Sequence, residues 1–185
     1  MNELILSHKR VRYFDGQLLT AEDLQAEQQY FLNRLRLHNR YLHGHGVVSG
    51  LKVSTSSDSS SSGVVHVEPG YAIDCYGNEV VVQQVFKEPL PDKGEMIYLC
   101  VEWAEHETDL VPVVTINDRE QYVASRVEEH AMFTYETTCP CARHRRDCKK
   151  GASCGNRHGI ALARLIRKRR GWKIDERFRN CRARV

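Results

Sequence analysis

The sequence predicts an α+β fold in which one long N-terminal helix precedes a mostly antiparallel β-sheet or sandwich and a cysteine-rich loop. Three observations support this fold. Apolar residues repeat at helical spacing over residues 20–43. Short segments rich in valine then follow, separated by turn-forming residues. Finally, a dense run of cysteines at 139–154 interrupts the pattern of strands near the C-terminal end.

The helix has a recognisable beginning and end. Thr20 and Asp23 form a start that resembles a capping box, and Gly44 is a natural stop. We therefore predict one helix from about residue 20 to residue 43. Its positions at helical spacing are Leu24, Gln28, Phe31, Leu35, Leu42 and, offset from these, Tyr30, Leu37 and Tyr41.

The sequence after the helix predicts β-structure. "VVSGLKV" predicts a strand, and the serine-rich "STSSDSSSSG" predicts a flexible loop. "VVHVEPGYAIDCYGNEVVVQQ" predicts three short strands, broken at Pro69-Gly70 and at Tyr76-Gly77-Asn78. These segments carry the β-rich region, which we place at 47–138.

Longer strands are predicted further along the chain. "MIYLCVEWAE" is typical of a buried strand, and "LVPVVTI" predicts a separate one in which Pro112 indicates an edge or a bulge. "VASRVEEHAMFTYET" predicts another strand, although its first half is also compatible with a helix. "GIALARLIRKRRGWKIDERF" predicts a hairpin that turns near Arg170-Gly171. We assign 1–185 to a single domain that contains the helix, the β-rich region, the cysteine-rich loop at 139–158 and a basic β-hairpin at 160–185.

Charge is distributed unevenly along the chain. The formal net charge is +3, but residues 139–185 carry 16 Lys/Arg and 3 Asp/Glu, a balance of +13. The remaining residues carry 11 basic and 21 acidic side chains, a balance of −10. Such polarity is compatible with nucleic-acid binding at the basic end. It also fits head-to-tail contacts between copies, or separate acidic and basic partners, and we favour contacts between copies.

Composition and the N-terminal segment indicate an ordinary globular protein without a membrane span. Hydrophobic residues make up 41% and charged residues 28% of the chain. No apolar run approaches the roughly 20 residues that a membrane helix needs. Because "MNELILSHKR" lacks the apolar region of a secretory signal, we expect assembly in the cytoplasm.

The sequence offers little for catalysis, and we predict that the protein is not an enzyme. It contains no phosphate-binding glycine loop, no G-x-S-x-G elbow and no H-E-x-x-H helix. His38 and His43 are five residues apart, which places them off one face of an α-helix, and His45 follows the helix stop. We interpret them as parts of a helix end rather than a metal clip. Cys75 at a turn and Cys100 in a buried strand are interpreted as inert core residues.

The segment "CPCARHRRDCKKGASC" is the strongest candidate for a site. Cys139, Cys141, Cys148 and Cys154 provide four soft ligands on one short loop, and tetrahedral zinc takes four such ligands. His144 or His158 could replace one of them. The basic neighbours favour the thiolate form, and a metal would order a polar loop that has no core.

Two alternatives to zinc stay open for this loop. The spacing is not that of two C-x-x-C knuckles, so disulfides remain possible, for instance between Cys139 or Cys141 and a later cysteine. The third option is a loop of reduced thiols. Seven cysteines cannot all form disulfides within one chain. Because the N-terminal segment lacks a secretory signal, we prefer the zinc hypothesis.

Several motifs, in order, resemble a group of proteins associated with phage-tail-like contractile injection systems. They are "RYFDGQLLTAEDL", "HNRYLHGHGVVSGL", "VEPGYAIDCYGNEVVV", "TDLVPV" and "ALARL". The likeness covers most of the chain and includes a cysteine-rich insertion before the last motif. It implies a structural particle component associated with tail or baseplate proteins. The very basic C-terminal end departs from the group, which leaves open whether the partner is the usual one.

The resemblance also bears on assembly. "PGYAIDCYGNEVVV" is similar to short hairpin units of tail-fibre and baseplate proteins, whose copies pack as trimers. A sheet with few helices to cover it must bury its second face on something, and a symmetric neighbour is the commonest solution. We therefore expect a homo-oligomer, with a trimer and a ring both open.

Together these observations favour a non-enzymatic structural component of a phage-tail-like contractile particle, made in the cytoplasm and then part of a virion-like or extracellular particle. It would act by self-association and by docking to neighbouring tail or baseplate proteins. The alternative is a zinc-containing adaptor that binds nucleic acid through the basic C-terminal region. "RLIRKRRGWK" carries that hypothesis, because basic residues beside Trp172 would suit phosphates and base stacking.

Overall fold

The computed structural model describes residues 9–56, 63–114, 120–140, 159–169 and 171–183. Within these ranges one helix precedes ten β-strands, so the predicted α+β class is confirmed. The helix α1 spans Ala21–His38 and continues as a π-helical turn over Asn39–His43. These bounds confirm the helix predicted over about 20–43.

Local hydrogen bonds explain where the helix begins and ends. The Thr20 hydroxyl accepts from the Asp23 amide at 3.2 Å, and the Asp23 carboxylate accepts from the Thr20 amide at 3.0 Å. This reciprocal pair is the predicted capping box. At the other end the Gly44 amide donates to the Asn39 carbonyl at 2.9 Å, which closes the π-turn. Gly44 has φ +76°, a left-handed conformation that suits glycine.

The strands form three antiparallel sheets. The first sheet has the order β1-β4-β5, the second β2-β3-β6 and the third β10-β9-β7-β8. In chain order the strands are β1 Gly46–Gly50, β2 Val53–Ser56, β3 Val64–Val67, β4 Gly70–Ile73, β5 Glu79–Val82, β6 Phe86–Pro89, β7 Met96–Val114, β8 Glu120–Glu136, β9 Ile160–Lys168 and β10 Gly171–Ile174. The three short strands predicted within 64–84 are therefore present as β3, β4 and β5.

One core joins the three sheets. Val47, Val65, Leu99 and Leu165 come from different sheets or strands, are completely buried, and belong to the same hydrophobic cluster. A smaller cluster contains Tyr98, Cys100 and Ala161. Both cysteines interpreted as core residues are buried, Cys75 at 5% and Cys100 at 0% exposure.

The prediction that "VVSGLKV" is one strand is wrong. Gly50 and Leu51 both have positive φ, +60° and +53°, and the chain leaves the first sheet here to join the second. Leu51 is almost completely buried. A Cβ on Gly50 would lie 2.1 Å from the Pro69 carbonyl oxygen, so only glycine permits this crossing.

Two strands predicted separately form one strand in the structure. "MIYLCVEWAE" and "LVPVVTI" contribute to the 19-residue β7, which pairs with β8 from Tyr98 to Val114. The helical option for the first half of β8 is therefore wrong, because this half is paired in the β7–β8 ladder. Strand β9 pairs with β7 only over Met96–Val101. Beyond that point the described strands form a two-stranded ribbon, which we call the hairpin arm and define as 104–114 with 120–130.

Pro112 lies in the hairpin arm, where β7 is paired on one side by β8 in the described structure. A proline at an edge removes no ladder hydrogen bond, so the edge position predicted for Pro112 is confirmed.

Strands β9 and β10 form an antiparallel pair that runs from Leu165 opposite Ile174 to Lys168 opposite Gly171. The flexible loop predicted for 54–63 is wrong at Ser54, Thr55 and Ser56, which belong to β2 because they pair with β3. Residues 57–62 of that segment lie outside the described residues. The assignment of 1–185 to one domain stays a prediction.

Candidate functional site

The predicted zinc ligands lie almost entirely outside the described residues. Cys139 is described, is half-buried and packs against the small cluster that contains Cys100. The other proposed ligands, Cys141, Cys148, Cys154, His144 and His158, fall in the undescribed range 141–158. Within the described residues no group of three or more His, Cys, Asp or Glu side chains is placed to hold a metal ion. The zinc site therefore stays a prediction.

The histidines at the helix end are arranged differently from the prediction. The π-turn brings His38 and His43 together, with ring centroids 5.5 Å apart. On an α-helix, residues five positions apart would lie on different faces. The prediction that they lie off one face is therefore wrong. His45 follows the helix and is half-buried; burial lowers its pKa, and nearby Asp74 partly opposes that effect.

The helix is attached to the sheet by its C-terminal end. The Asn39 side chain is buried, and its Nδ2 donates to the Gly77 carbonyl at 3.0 Å and to Glu79 Oε1 at 3.1 Å. One turn earlier, the Arg36 guanidinium lies over the Trp103 ring, 5.2 Å from its centroid. A Cβ on Gly77 would lie 2.2 Å from the Arg36 carbonyl oxygen, so glycine is required for this close approach.

The turn that receives the helix is held by Asp74. Its Oδ1 accepts from the amides of Tyr76 at 2.8 Å and Asn78 at 2.9 Å, and its Oδ2 accepts from Asn78 Nδ2 at 2.7 Å. Asp74 and Asn78 are both buried. Asx hydrogen bonds of this kind fix a turn by satisfying its amides. The carboxylate in "AIDCYGNEV" therefore has a structural role that accounts for its burial.

The helix exposes an apolar face. None of the eighteen residues of α1, all of them described, is buried. The exposed fractions are 53% for Leu24, 60% for Phe31, 46% for Leu35 and 60% for Leu42. Within α1, Leu24, Phe31 and Leu35, together with Gln28, occupy positions 24, 28, 31 and 35, which alternate steps of four and three, while Leu42 lies in the π-turn. Alternating steps of this kind define the contact line of a coiled coil, and we call this line the helix seam.

The hairpin arm exposes large apolar side chains on both faces of its ribbon. Val111 is paired with Val123 on one face, and Pro112 with Tyr122 on the other. Exposed fractions reach 62% for Tyr122 and 46% for Val123. Other large apolar side chains exposed on the arm are Leu110, Val113 and Val127. Exposed patches of contiguous large apolar residues mark interaction sites in soluble proteins.

Charge on the hairpin arm and on the C-terminal region is opposite. Residues 104–114 and 120–130 contain six acidic residues and one basic residue, a balance of −5. Residues 160–183 contain nine basic and two acidic residues, a balance of +7. One arginine there is neutralised internally: Arg164 Nε donates to Asp175 Oδ2 at 2.6 Å. The other basic side chains of β9 that follow it, Arg167 and Lys168, are exposed.

The role suggested for Trp172 in base stacking is wrong. Its side chain is 5% exposed and belongs to the main core. Its Nε1 donates to the Pro91 carbonyl at 2.8 Å, and the Arg167 guanidinium lies 6.0 Å from its ring centroid. The alternation of β10 directs this residue inward, and the sequence does not reveal which face of a short hairpin is covered.

No helix within the described residues has the length and apolarity needed to cross a membrane.

The structure also shows what the sequence did not indicate, namely that the apolar face of α1 stays largely exposed. An apolar stripe on a helix normally faces the core of its own chain. Only the steps of four and three in the stripe pointed to another kind of contact.

Comparisons with known proteins give a likeness of fold. No protein-family model matches the chain, and no curated protein sequence matches it. A chain of the TssK-TssF-TssG baseplate subcomplex of the type VI secretion system, seen by cryo-electron microscopy, is similar with a TM-score of 0.51 and 14% identity. A chain of the baseplate complex from the type VI secretion system gives 0.52 and 12%. The crystal structure of TssK gives 0.50 and 11%.

These matches cover 94%, 95% and 91% of this chain, but 62%, 60% and 41% of the other chains. The chain therefore spans less than two thirds of the structures it resembles. At these identities the likeness concerns the fold. The fold is similar to that of subunits from type VI secretion baseplates, which agrees with the coarse part of the resemblance found in the sequence.

Proposed function

We propose that this protein is a non-enzymatic structural component of the baseplate or tail of a phage-tail-like contractile particle, where it self-associates and docks to neighbouring particle proteins. One observation carries the proposal most directly: α1 is capped and attached at one end, yet it exposes an apolar seam. The fold likeness to type VI secretion baseplate subunits supports the class of particle.

The helix seam supports self-association. Leu24, Phe31 and Leu35 each leave about half of their side chains exposed, and burial of such surface stabilises association by about 25 cal/mol per Å². A second copy of the same helix offers the same line of residues. Helices with apolar residues at alternating steps of three and four pack together along that line, so the simplest partner is another copy of this chain.

The hairpin arm supports docking to other particle proteins. It exposes apolar residues on both faces, such as Tyr122 on one and Val123 on the other, and carries a net charge of −5. Aromatic side chains at the centre of a patch are typical of residues that dominate binding energy. The opposite charges of the arm and of residues 160–183 would orient a neighbour during docking, because complementary potentials fix register and raise the association rate.

The particle should assemble in the cytoplasm and then become part of a virion-like or extracellular assembly. In that setting a cysteine loop that binds Zn would remain ordered without a core of its own. We propose Cys139, Cys141, Cys148 and Cys154 as the ligands, with His144 or His158 as a substitute. Metal analysis of the purified protein tests this part separately, with one zinc per chain as the expected result.

The experiment for the main proposal has two arms. Light scattering on the purified chain should give a mass of at least twice the 21.3 kDa of one chain. Particles isolated from the native cells should contain the chain in a fixed ratio to the other subunits, and deletion of its gene should abolish assembled particles. A protein that stays monomeric at tens of micromolar and is absent from particles would contradict the proposal.

A second candidate is binding of nucleic acid by the basic region, favoured by the balance of +7 over residues 160–183. Such binding would rest on phosphates, since Trp172 is buried. The logarithm of the binding constant should then fall steeply and linearly with log[salt], for any sequence of DNA or RNA. Affinity that is absent at low salt excludes this candidate and leaves the structural proposal unaffected.

A further inference from the structure

A histidine pair lies at the base of the hairpin arm, just beyond the buried Trp103. His106 is on β7 and His130 is on β8, and their cross-strand partners are Glu128 and Ala104 respectively. Since side chains two residues apart share one face of a strand, His106, Glu128 and His130 lie on the same face of the ribbon. This face is exposed, with half of the His106 side chain accessible.

The atoms are arranged as in a chelate. His106 Nδ1 lies 3.2 Å from His130 Nδ1, and the ring centroids are 4.9 Å apart. Two imidazole nitrogens bound at about 2.0–2.1 Å to one tetrahedral ion are separated by about 3.3–3.4 Å. The observed separation therefore needs only a small rotation of either ring to admit a metal between them.

The opposite edge of His106 has the partner that a ligating histidine requires. His106 Nε2 lies 3.2 Å from Glu128 Oε2. A metal-bound histidine usually donates its second ring N–H to a carboxylate, which fixes the tautomer and directs the other nitrogen toward the metal. With the proton on Nε2, the Nδ1 of His106 presents its lone pair toward His130.

We propose that His106 and His130 form a two-nitrogen, cross-strand site for a divalent transition metal of the kind that imidazole prefers, such as Ni²⁺, Cu²⁺ or Zn²⁺. Glu128 orients His106, and water completes the coordination. Binding places both ring protons on Nε2, so the proton shared between the two Nδ1 atoms moves to Nε2 of His130 through solvent. The acidic arm, with a balance of −5, attracts the cation.

The site has a mechanical consequence for the arm. In the described structure, pairing of β7 with β9 ends at Val101, and only the ladder with β8 continues. A metal bound by His106 and His130 would link the two strands where the ribbon extends beyond the pairing of β7 with β9. The bound ion would therefore restrict twisting of the arm at its base, independently of any cysteine ligand.

Titration of the full chain with Ni²⁺ tests the site, after the accessible thiols have been blocked by carbamidomethylation. Wild type should bind one equivalent, and His106→Ala and His130→Ala should each weaken it at least tenfold. Glu128→Gln should weaken it by about 10–100-fold, the range expected for loss of a partner of a ligating histidine. Unchanged affinity in Glu128→Gln would contradict the role assigned to that carboxylate.

Two controls separate the site from other histidines. His66 has a hydroxyl neighbour, Ser56, at 3.0 Å, so His66→Ala should bind Ni²⁺ as wild type does. His43→Ala removes the other histidine pair seen among the described residues, His38 with His43, and should also leave the equivalent in place. Wild-type affinity in both His106→Ala and His130→Ala, or loss of the equivalent in His43→Ala, overturns the proposal. If an alanine variant fails to fold, His106→Gln and His130→Gln replace it.

Discussion

Replacement of Phe31 by aspartate is the sharpest perturbation of the helix seam. Phe31 is 60% exposed in the single chain, so the substitution removes little packing from the fold itself. In the proposed assembly the same side chain is buried against a second copy. A carboxylate at that position would lose the apolar contact and be placed in an apolar interface.

The size of the effect follows from the exposed fraction. Complete burial of a phenylalanine side chain is worth about 1.5–3 kcal/mol, so burial of the remaining 60% contributes about 1–2 kcal/mol per copy. A symmetric contact between two copies contains the residue twice and loses about 2–4 kcal/mol. Since about 1.4 kcal/mol corresponds to a tenfold change, the dissociation constant should increase by a factor of about 30 to about 1,000.

Sedimentation or light scattering over a range of protein concentrations measures this shift, and circular dichroism verifies the fold. Ala26→Asp is the matched control, since residue 26 is exposed and lies on the opposite side of the helix from the seam. It introduces the same charge and should leave the dissociation constant nearly unchanged. Equal weakening by both variants, or none by Phe31→Asp, would refute the reasoning that the seam is the contact.

Three further predictions concern the fold and the cysteine loop. Gly77→Ala should lower the free energy of unfolding by more than Gly16→Ala does. Both glycines have positive φ, so both substitutions cost about 1–2 kcal/mol for left-handed backbone, but only a Cβ at Gly77 would also collide with the helix backbone. Equal losses of stability in urea titrations would show that the close approach is not needed. Burial raises the pKa of Tyr135 to about 12, so the folded chain keeps this phenol neutral while the unfolded chain ionises near pH 10. Stability should therefore fall as pH rises from about 10 toward 12, and Tyr135→Phe should lose less of it in denaturation at pH 11. Cys148→Ser should release zinc and increase proteolysis within 139–158 while the sheets keep their circular dichroism; loss of the whole fold would show that the loop belongs to the core.

Features set by local interactions could be predicted from the sequence, and features set by distant contacts could not. Thr20 and Asp23 are three residues apart, so their capping box is visible in the sequence. The crossing at Gly50 depends on the Pro69 carbonyl, nineteen positions away, and it divided a segment that looked like one strand. The continuous β7 strand likewise depends on its ladder with β8 rather than on its own residues.

The candidate surfaces divide in the same way. The steps of four and three along the helix seam can be counted in the sequence, but the direction in which Phe31 points depends on how Asn39 and Gly77 attach the helix. The pair of His106 and His130 is separated by 24 positions, and only the register of β7 and β8 brings it together. The burial of Trp172 could not be predicted, because the elements that pack against a hairpin decide which of its faces is covered.

The exposed seam also bears on the stability of the helix itself. Isolated helices shorter than about 12–15 residues are marginal in water, and α1, at eighteen residues, is only slightly longer. Most helical stability in proteins comes from packing of an apolar face, yet α1 contributes no buried residue to its own chain. Its capping box and its attachment at Asn39 act only at the two ends. A covered seam would supply the missing packing, so helix content and association should rise together with protein concentration, and a helix signal that is independent of concentration would separate the two.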